Sequence, residues 1–165
     1  MLMRKKVISF LTDNGIPFTV KEHPAVYTMA EMEALGLNNL GPIPKNLFLK
    51  DGKGKQHFLI TAAMDTAIDL KRLGEILGVK KLGFASAERL AQYLGVTPGC
   101  VSPFGVLQDQ DHAVIVVFDR KLSTLSLLGV HPNVHDATVW LSFADLQKAV
   151  ELTGHEVRIV DFENE

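Results

Sequence analysis

The stretch KNLFLKDGKGKQHFLIT, residues 45–61, constrains the fold more than any other part of the chain. Apolar and polar residues alternate through Leu47, Phe48, Leu49 and Lys50, and Asp51-Gly52-Lys53-Gly54 supplies turn chemistry. A second apolar run follows in Phe58, Leu59 and Ile60. Two such runs around a glycine-containing loop predict a β-hairpin. A lone hairpin is marginal in water, so the rest of the chain must supply further strands and a cover for the apolar face.

That cover is predicted by helical periodicity with matching end signals. Helices are expected over residues 4–14 (stopped by Gly15), 29–35 (Thr28 with Glu31, then Gly36), 70–77 (Asp69, then Gly78), 87–94 (Ser86, then Gly95) and 143–152 (Ser142 with Asp145, then Gly154). Strands are expected over residues 18–21, 45–50, 57–61, 82–85, 113–119, 126–130, 138–141 and 157–160. Helices interleaved with hairpins and longer crossovers predict a mixed α/β (α+β) fold, a mostly antiparallel sheet covered by helices. With no repeat, low-complexity tract or linker, residues 1–165 are expected to form a single compact domain. A domain of this size buries ~70% of the surface its unfolded chain would expose, and needs no disulfide or metal to hold it.

Charge limits the partners. The net charge is −2, so the chain is not a general polyanion binder, and any nucleic-acid contact has to be local. Residues 45–81 carry the excess of cations, among them Lys45, Lys50, Lys71 and Lys81, while residues 151–165 are acidic apart from Arg158. The sole cysteine, Cys100, cannot form an internal disulfide. The opening Met1-Leu2-Met3-Arg4-Lys5-Lys6 leads into no signal-peptide core, and the longest uncharged apolar run, residues 113–118, is too short to cross a bilayer. A soluble cytoplasmic protein is expected, with no membrane partner.

Three stretches carry candidate chemistry. Lys45 and Asn46 stand at the mouth of the first hairpin strand, either as solvated edge residues or as donors aimed into a pocket. GVTPGCVSPFG, residues 95–105, concentrates Gly and Pro into a stiff loop whose backbone amides could meet a carbonyl or an oxyanion, or which serves only as a turn. In LLGVHPNVHDATVWL a strand ends at Val130, and Pro132 locks the backbone beside His131, a position suited to a hydrogen-bonding imidazole or to a simply exposed one. Rival chemistries are weakly marked. His131 and His135 have the spacing of a zinc pair, but Pro132 opposes a helix there and no third ligand is evident. Cys100 as a nucleophile with His131 as its base has nothing to activate the thiol, and Ser102 lies in no GxSxG elbow. No GxGxxG or Walker loop occurs, so neither cofactor nor metal is expected.

Taken together and in order, Lys45-Asn46-Leu47-Phe48-Leu49, Gly99-Cys100-Val101-Ser102-Pro103-Phe104-Gly105 and His131-Pro132-Asn133 resemble the prolyl-tRNA synthetase-associated editing domains of the YbaK/ProX family. The resemblance runs nearly end to end and is greatest to the free-standing alanyl-tRNA(Pro) deacylases. It implies a trans-editing hydrolase that cleaves the ester of mischarged tRNA(Pro), most simply Ala-tRNA(Pro), and that works beside prolyl-tRNA synthetase. It further implies that Lys45 holds the terminal adenosine's phosphate or ribose, Asn46 orients the ester, and His131 hydrogen-bonds the aminoacyl end. The loop Gly99, Cys100, Val101, Ser102, Pro103 and Phe104, with Asn133, would bound the amino-acid pocket, and Lys50, Lys71 and Lys81 would meet the tRNA. Family members often carry Asn where this chain has His135, a departure that bears on which amino acid is edited. Two alternatives stand beside this reading: deacylation of another mischarged tRNA, Cys-tRNA(Pro) first, and a non-catalytic tRNA-binding module.

Overall fold

The structure, a computed structural model, describes residues 2–26, 28–37 and 40–163. Among the described residues, five helices and eight strands follow one another. They are α1 (Leu2–Asp13), β1 (Thr19–Glu22), α2 (Met29–Ala34), β2 (Lys45–Lys50), β3 (His57–Ala62), α3 (Leu70–Leu77), β4 (Gly83–Phe84), α4 (Ala87–Leu94), β5 (Val114–Asp119), β6 (Leu128–Val130), β7 (Ala137–Leu141), α5 (Phe143–Leu152) and β8 (Val157–Val160). The strands divide into two sheets: a five-stranded one in the order β4-β2-β3-β5-β8 and a three-stranded one in the order β1-β7-β6.

In the larger sheet β2 pairs antiparallel with β3 and β4, while β3–β5 and β5–β8 are parallel. All pairings of the smaller sheet are antiparallel. The expected mixed, mostly antiparallel character therefore holds, but in two sheets. Every residue of β3 is buried, as a strand covered on both faces requires. On one face, Phe48, Leu59, Val116 and Phe118 meet α1 (Val7, Leu11), α4 (Leu90, Leu94), α5 (Phe143, Leu146) and the inner face of the small sheet (Val130, Val139, Leu141). On the other, Leu49, Phe58, Ile60 and Val117 pack on Leu73 and Leu77 of α3. A third cluster, Val26, Met32, Leu37, Ile43 and Trp140, ties α2 to the outer face of β7.

The helix ends form as their caps dictate. Asp69 accepts from the Lys71 and Arg72 amides, Ser86 from Arg89 and Ser142 from Asp145. Gly78 and Gly95 close α3 and α4 with φ of 76° and 66°, a left-handed turn that a side chain would strain. Two 3-10 segments, Pro103–Gln108 and Arg120–Thr124, were not foreseen. The second occupies much of the span between β5 and the strand expected over residues 126–130, of which only Leu128–Val130 pairs.

Candidate active site

Residues from both sheets and from the Gly/Pro loop border a cleft of about 200 Å³. Lys45 and Asn46 at the start of β2, Gly99 and Val101 from the Gly/Pro loop, and Gly129, His131 and Thr138 from the small sheet line it, with Val26, Met32 and Ile43 as apolar wall. The three sequence stretches thus come together in space.

Alternation along β2 sends Asn46 to the side of Phe48 and Lys45 to the side of Leu47. Asn46 is fixed by Thr61, its partner on β3, whose hydroxyl donates to Asn46 Oδ1 at 2.7 Å. That contact sets the amide's orientation and leaves Nδ2 as a donor. The Lys45 ammonium donates to the Thr66 carbonyl. Thr66 is itself held by Asp119 at the end of β5, whose Oδ2 accepts from the Thr66 hydroxyl at 2.5 Å and the Ala63 amide at 3.0 Å. A buried carboxylate therefore positions the turn against which Lys45 rests.

His131 lies just past β6. Its Nδ1 is 3.3 Å from the Ala137 carbonyl, which can only accept, so Nδ1 carries the proton and Nε2 keeps its lone pair. Burial pushes the imidazole below the ordinary histidine range, partly opposed by the Ala137 bond, so the ring is neutral near pH 7. Gly129 is required by close approach: a Cβ there would stand 2.8 Å from the Trp140 ring and 2.9 Å from Thr138 Cγ2. Gly99 has open space around it but φ of 93°, a conformation that L side chains rarely adopt.

Not every expected residue faces the cleft. Cys100, Ser102, Pro103, Phe104 and Asn133 are buried behind the lining. The Cys100 thiol lies in the main core and takes a weak hydrogen bond from the Thr97 hydroxyl, at 3.7 Å. Ser102 caps the 3-10 segment by accepting from the Phe104 amide, and Asn133 Nδ2 donates to the Phe104 carbonyl at 3.0 Å. Ser102 and Asn133 brace the Phe104 backbone from behind the lining. Lys50 and Lys81, expected to meet the tRNA, lie away from the cleft. Lys50 ends β2 about 17 Å along the strand from Lys45, and Lys81 borders the Asp51–Gly52 turn at that same end. Lys71 is exposed on α3. The sequence reading missed Thr138, Gly129 and the Thr66–Asp119 support. Counting the β6–β7 register through His-Pro-Asn would have set Thr138 opposite His131, whereas nothing local to Asp119 points to Lys45.

Among the described residues no group of three or more His, Cys, Asp or Glu is placed to hold a metal ion, and no helix is long and apolar enough to cross a membrane.

Fold and cleft together define a mixed α/β domain whose cleft is lined by a lysine, an amide and a neutral histidine. The chain belongs to the aminoacyl-tRNA editing domain family, whose model matches residues 23–149. It is 47% identical to the prolyl-tRNA editing protein ProX of Acetoanaerobium sticklandii over 96% of each chain. It is 34% identical to prolyl-tRNA synthetase associated domain-containing protein 1 of Danio rerio, over 98% of this chain and 88% of that one. A solved structure described as a candidate trans-editing enzyme for prolyl-tRNA synthetase superposes with a TM-score of 0.74, covering 99% of this chain and 98% of that one. At 22% identity, this last likeness concerns the fold alone.

Proposed function

We propose that this protein is a trans-acting deacylase that hydrolyses the ester of mischarged tRNA(Pro), with Ala-tRNA(Pro) as its substrate and residues 1–165 working as one unit. The observation that carries the reading is the convergence of Lys45, Asn46, Gly99 and His131 on a small cleft in a chain 47% identical to a prolyl-tRNA editing protein. Prolyl-tRNA synthetase is the natural neighbour. A pocket built for a ring rejects a smaller apolar side chain by only ~1–3 kcal/mol, so misacylated product needs a second sieve.

An aminoacyl ester is already activated, and the site has only to orient it, exclude the wrong side chain and meet developing charge. Lys45, with one donor on Thr66, turns its remaining donors to the ribose-phosphate of the terminal nucleotide. Asn46 Nδ2 donates to the ester carbonyl. The Cys100 amide is committed to the Thr97 carbonyl, so the cleft-lining Gly99 and Val101 are the loop residues that bound the amino acid. Water adds to the carbonyl carbon, the bond to the ribose oxygen breaks, and that oxygen leaves with a proton, giving free amino acid and tRNA. The neighbouring ribose hydroxyl assists the water, so no dedicated protein base is required. His131 Nε2 accepts a hydrogen bond from the aminoacyl end.

The test is the hydrolysis rate of a panel of Ala-, Cys-, Ser- and Pro-tRNA(Pro). Ala-tRNA(Pro) is expected to be cleaved fastest and Pro-tRNA(Pro) spared. A fastest rate on Cys-tRNA(Pro) reassigns the substrate, and protection of every ester above its spontaneous rate replaces the enzyme with a binding module.

A further inference from the structure

The acceptor side of the cleft is more ordered than the proposed reaction requires. Thr138 is fully buried and lines the cleft from β7, and its hydroxyl is 2.8 Å from His23 Nε2. His23 Nδ1 is in turn 2.9 Å from the Pro24 carbonyl. A carbonyl only accepts, so Nδ1 carries the ring proton, and in the neutral ring Nε2 can only accept. With that tautomer, the Thr138 hydroxyl is the donor to His23. Its one proton is then spent on His23, and the oxygen keeps a lone pair. His131 is wired in the same way, with Nδ1 on the Ala137 carbonyl and Nε2 bare.

These two acceptors are neighbours. The β6–β7 register pairs Leu128 with Leu141, Gly129 with Trp140 and Val130 with Val139, so the next step sets His131 against Thr138, with Cβ atoms about 5 Å apart. Among the described lining residues there is no carboxylate, and the sole cation, Lys45, comes from the other sheet with its ammonium on Thr66. The cleft is therefore polarised, with donors on the β2 wall and paired neutral acceptors on the β6–β7 wall. A ligand matching it carries an anionic or carbonyl end and a multi-donor cationic end.

We infer that Thr138, oriented by His23, forms with His131 a subsite for the α-ammonium group of the aminoacyl ester. This rests on the deacylase reading and deepens it: the enzyme recognises its substrate as a free α-amino ester and not merely as a short acyl group. Thr138 is a binding residue. His23 is a positioning residue that fixes the polarity of the Thr138 hydroxyl.

The experiment compares Ala-tRNA(Pro) with lactyl-tRNA(Pro), in which a hydroxyl replaces the ammonium at nearly constant size, each rate divided by its spontaneous rate. The parent is expected to favour the alanyl ester in kcat/KM by about tenfold, since hydrogen bonds to charged donors are stronger than those to neutral ones. In Thr138→Val, of nearly the same shape, that preference should fall to about one, the loss being confined to the alanyl ester, while Thr138→Ser keeps it. His23→Leu should lower the preference and His23→Gln, which can accept from the hydroxyl, restore it. The His23 pair carries the test if Thr138→Val does not fold. An active parent whose alanyl preference survives in Thr138→Val and His23→Leu overturns the subsite alone. A parent inactive on Ala-tRNA(Pro) overturns the deacylase reading and the subsite with it.

Discussion

Lys45 is held at the mouth of β2 by a relay that ends on a carboxylate: Asp119 fixes Thr66, and the Thr66 carbonyl receives the ammonium. Replacing Asp119 with Ala orphans the Ala63 amide and the Thr66 hydroxyl in a buried setting. The expected loss is about 2–4 kcal/mol of stability, read from urea unfolding, together with a drop in deacylation beyond what unfolding explains. Cys100 lies in the core, so Cys100→Ser should keep most of the activity, and a trapped covalent aminoacyl-enzyme at Cys100 would refute this. That Lys45, Asn46 and His131 face a common cleft was legible in the sequence because each stands at or next to a strand end, where a polar residue has a definite direction. That Ser102, Phe104 and Asn133 are buried and outside the lining was not legible, because loop residues can turn either way. Only tertiary packing turned them behind the lining, where Asn133 holds the Phe104 carbonyl.

At the level of elements, α3, α4 and α5 begin and end where their caps predicted, since a cap is a bond between residues two or three apart. Ser86→Ala should accordingly remove about 1 kcal/mol, measured by urea or thermal unfolding. What could not be read locally is the division into two sheets, settled by contacts between residues far apart in the chain. The 3-10 segments instead close on local bonds, such as Ser102 accepting from the Phe104 amide and Asp119 from the Lys121 amide. One of those segments directly follows the cleft-lining loop. Pro103 opens it and is buried behind the cleft-lining Gly99 and Val101. Forcing a larger side chain against a stiff wall costs about 1–3 kcal/mol. Pro103→Gly should therefore raise hydrolysis of Pro-tRNA(Pro) relative to Ala-tRNA(Pro) several-fold, and an unchanged ratio in a folded variant places the wall elsewhere.

For the whole molecule, two histidines set a pH dependence. Burial lowers both His57 and His131, and Arg89, 3.0 Å from His57 Nε2, lowers His57 further. The folded chain thus takes up these protons less readily than the unfolded one. Their contribution is complete above about pH 6.5, the ordinary histidine value, and is lost as pH falls from there through the folded-state values. The urea midpoint should be lower at pH 5.5 than at pH 7.5, and less so in His57→Phe. The charge layout separates binding from chemistry. Lys50 and Lys81 stand at the sheet end away from the cleft, so reversing either should weaken tRNA binding and its salt dependence with little effect on the single-turnover rate. The assignment of the cleft as an editing site is tested most directly by single-turnover hydrolysis of Ala-tRNA(Pro) by the parent and by Lys45→Ala side by side. The parent should cleave far above the spontaneous rate and the folded variant at least about 100-fold more slowly, whereas equal rates would contradict it.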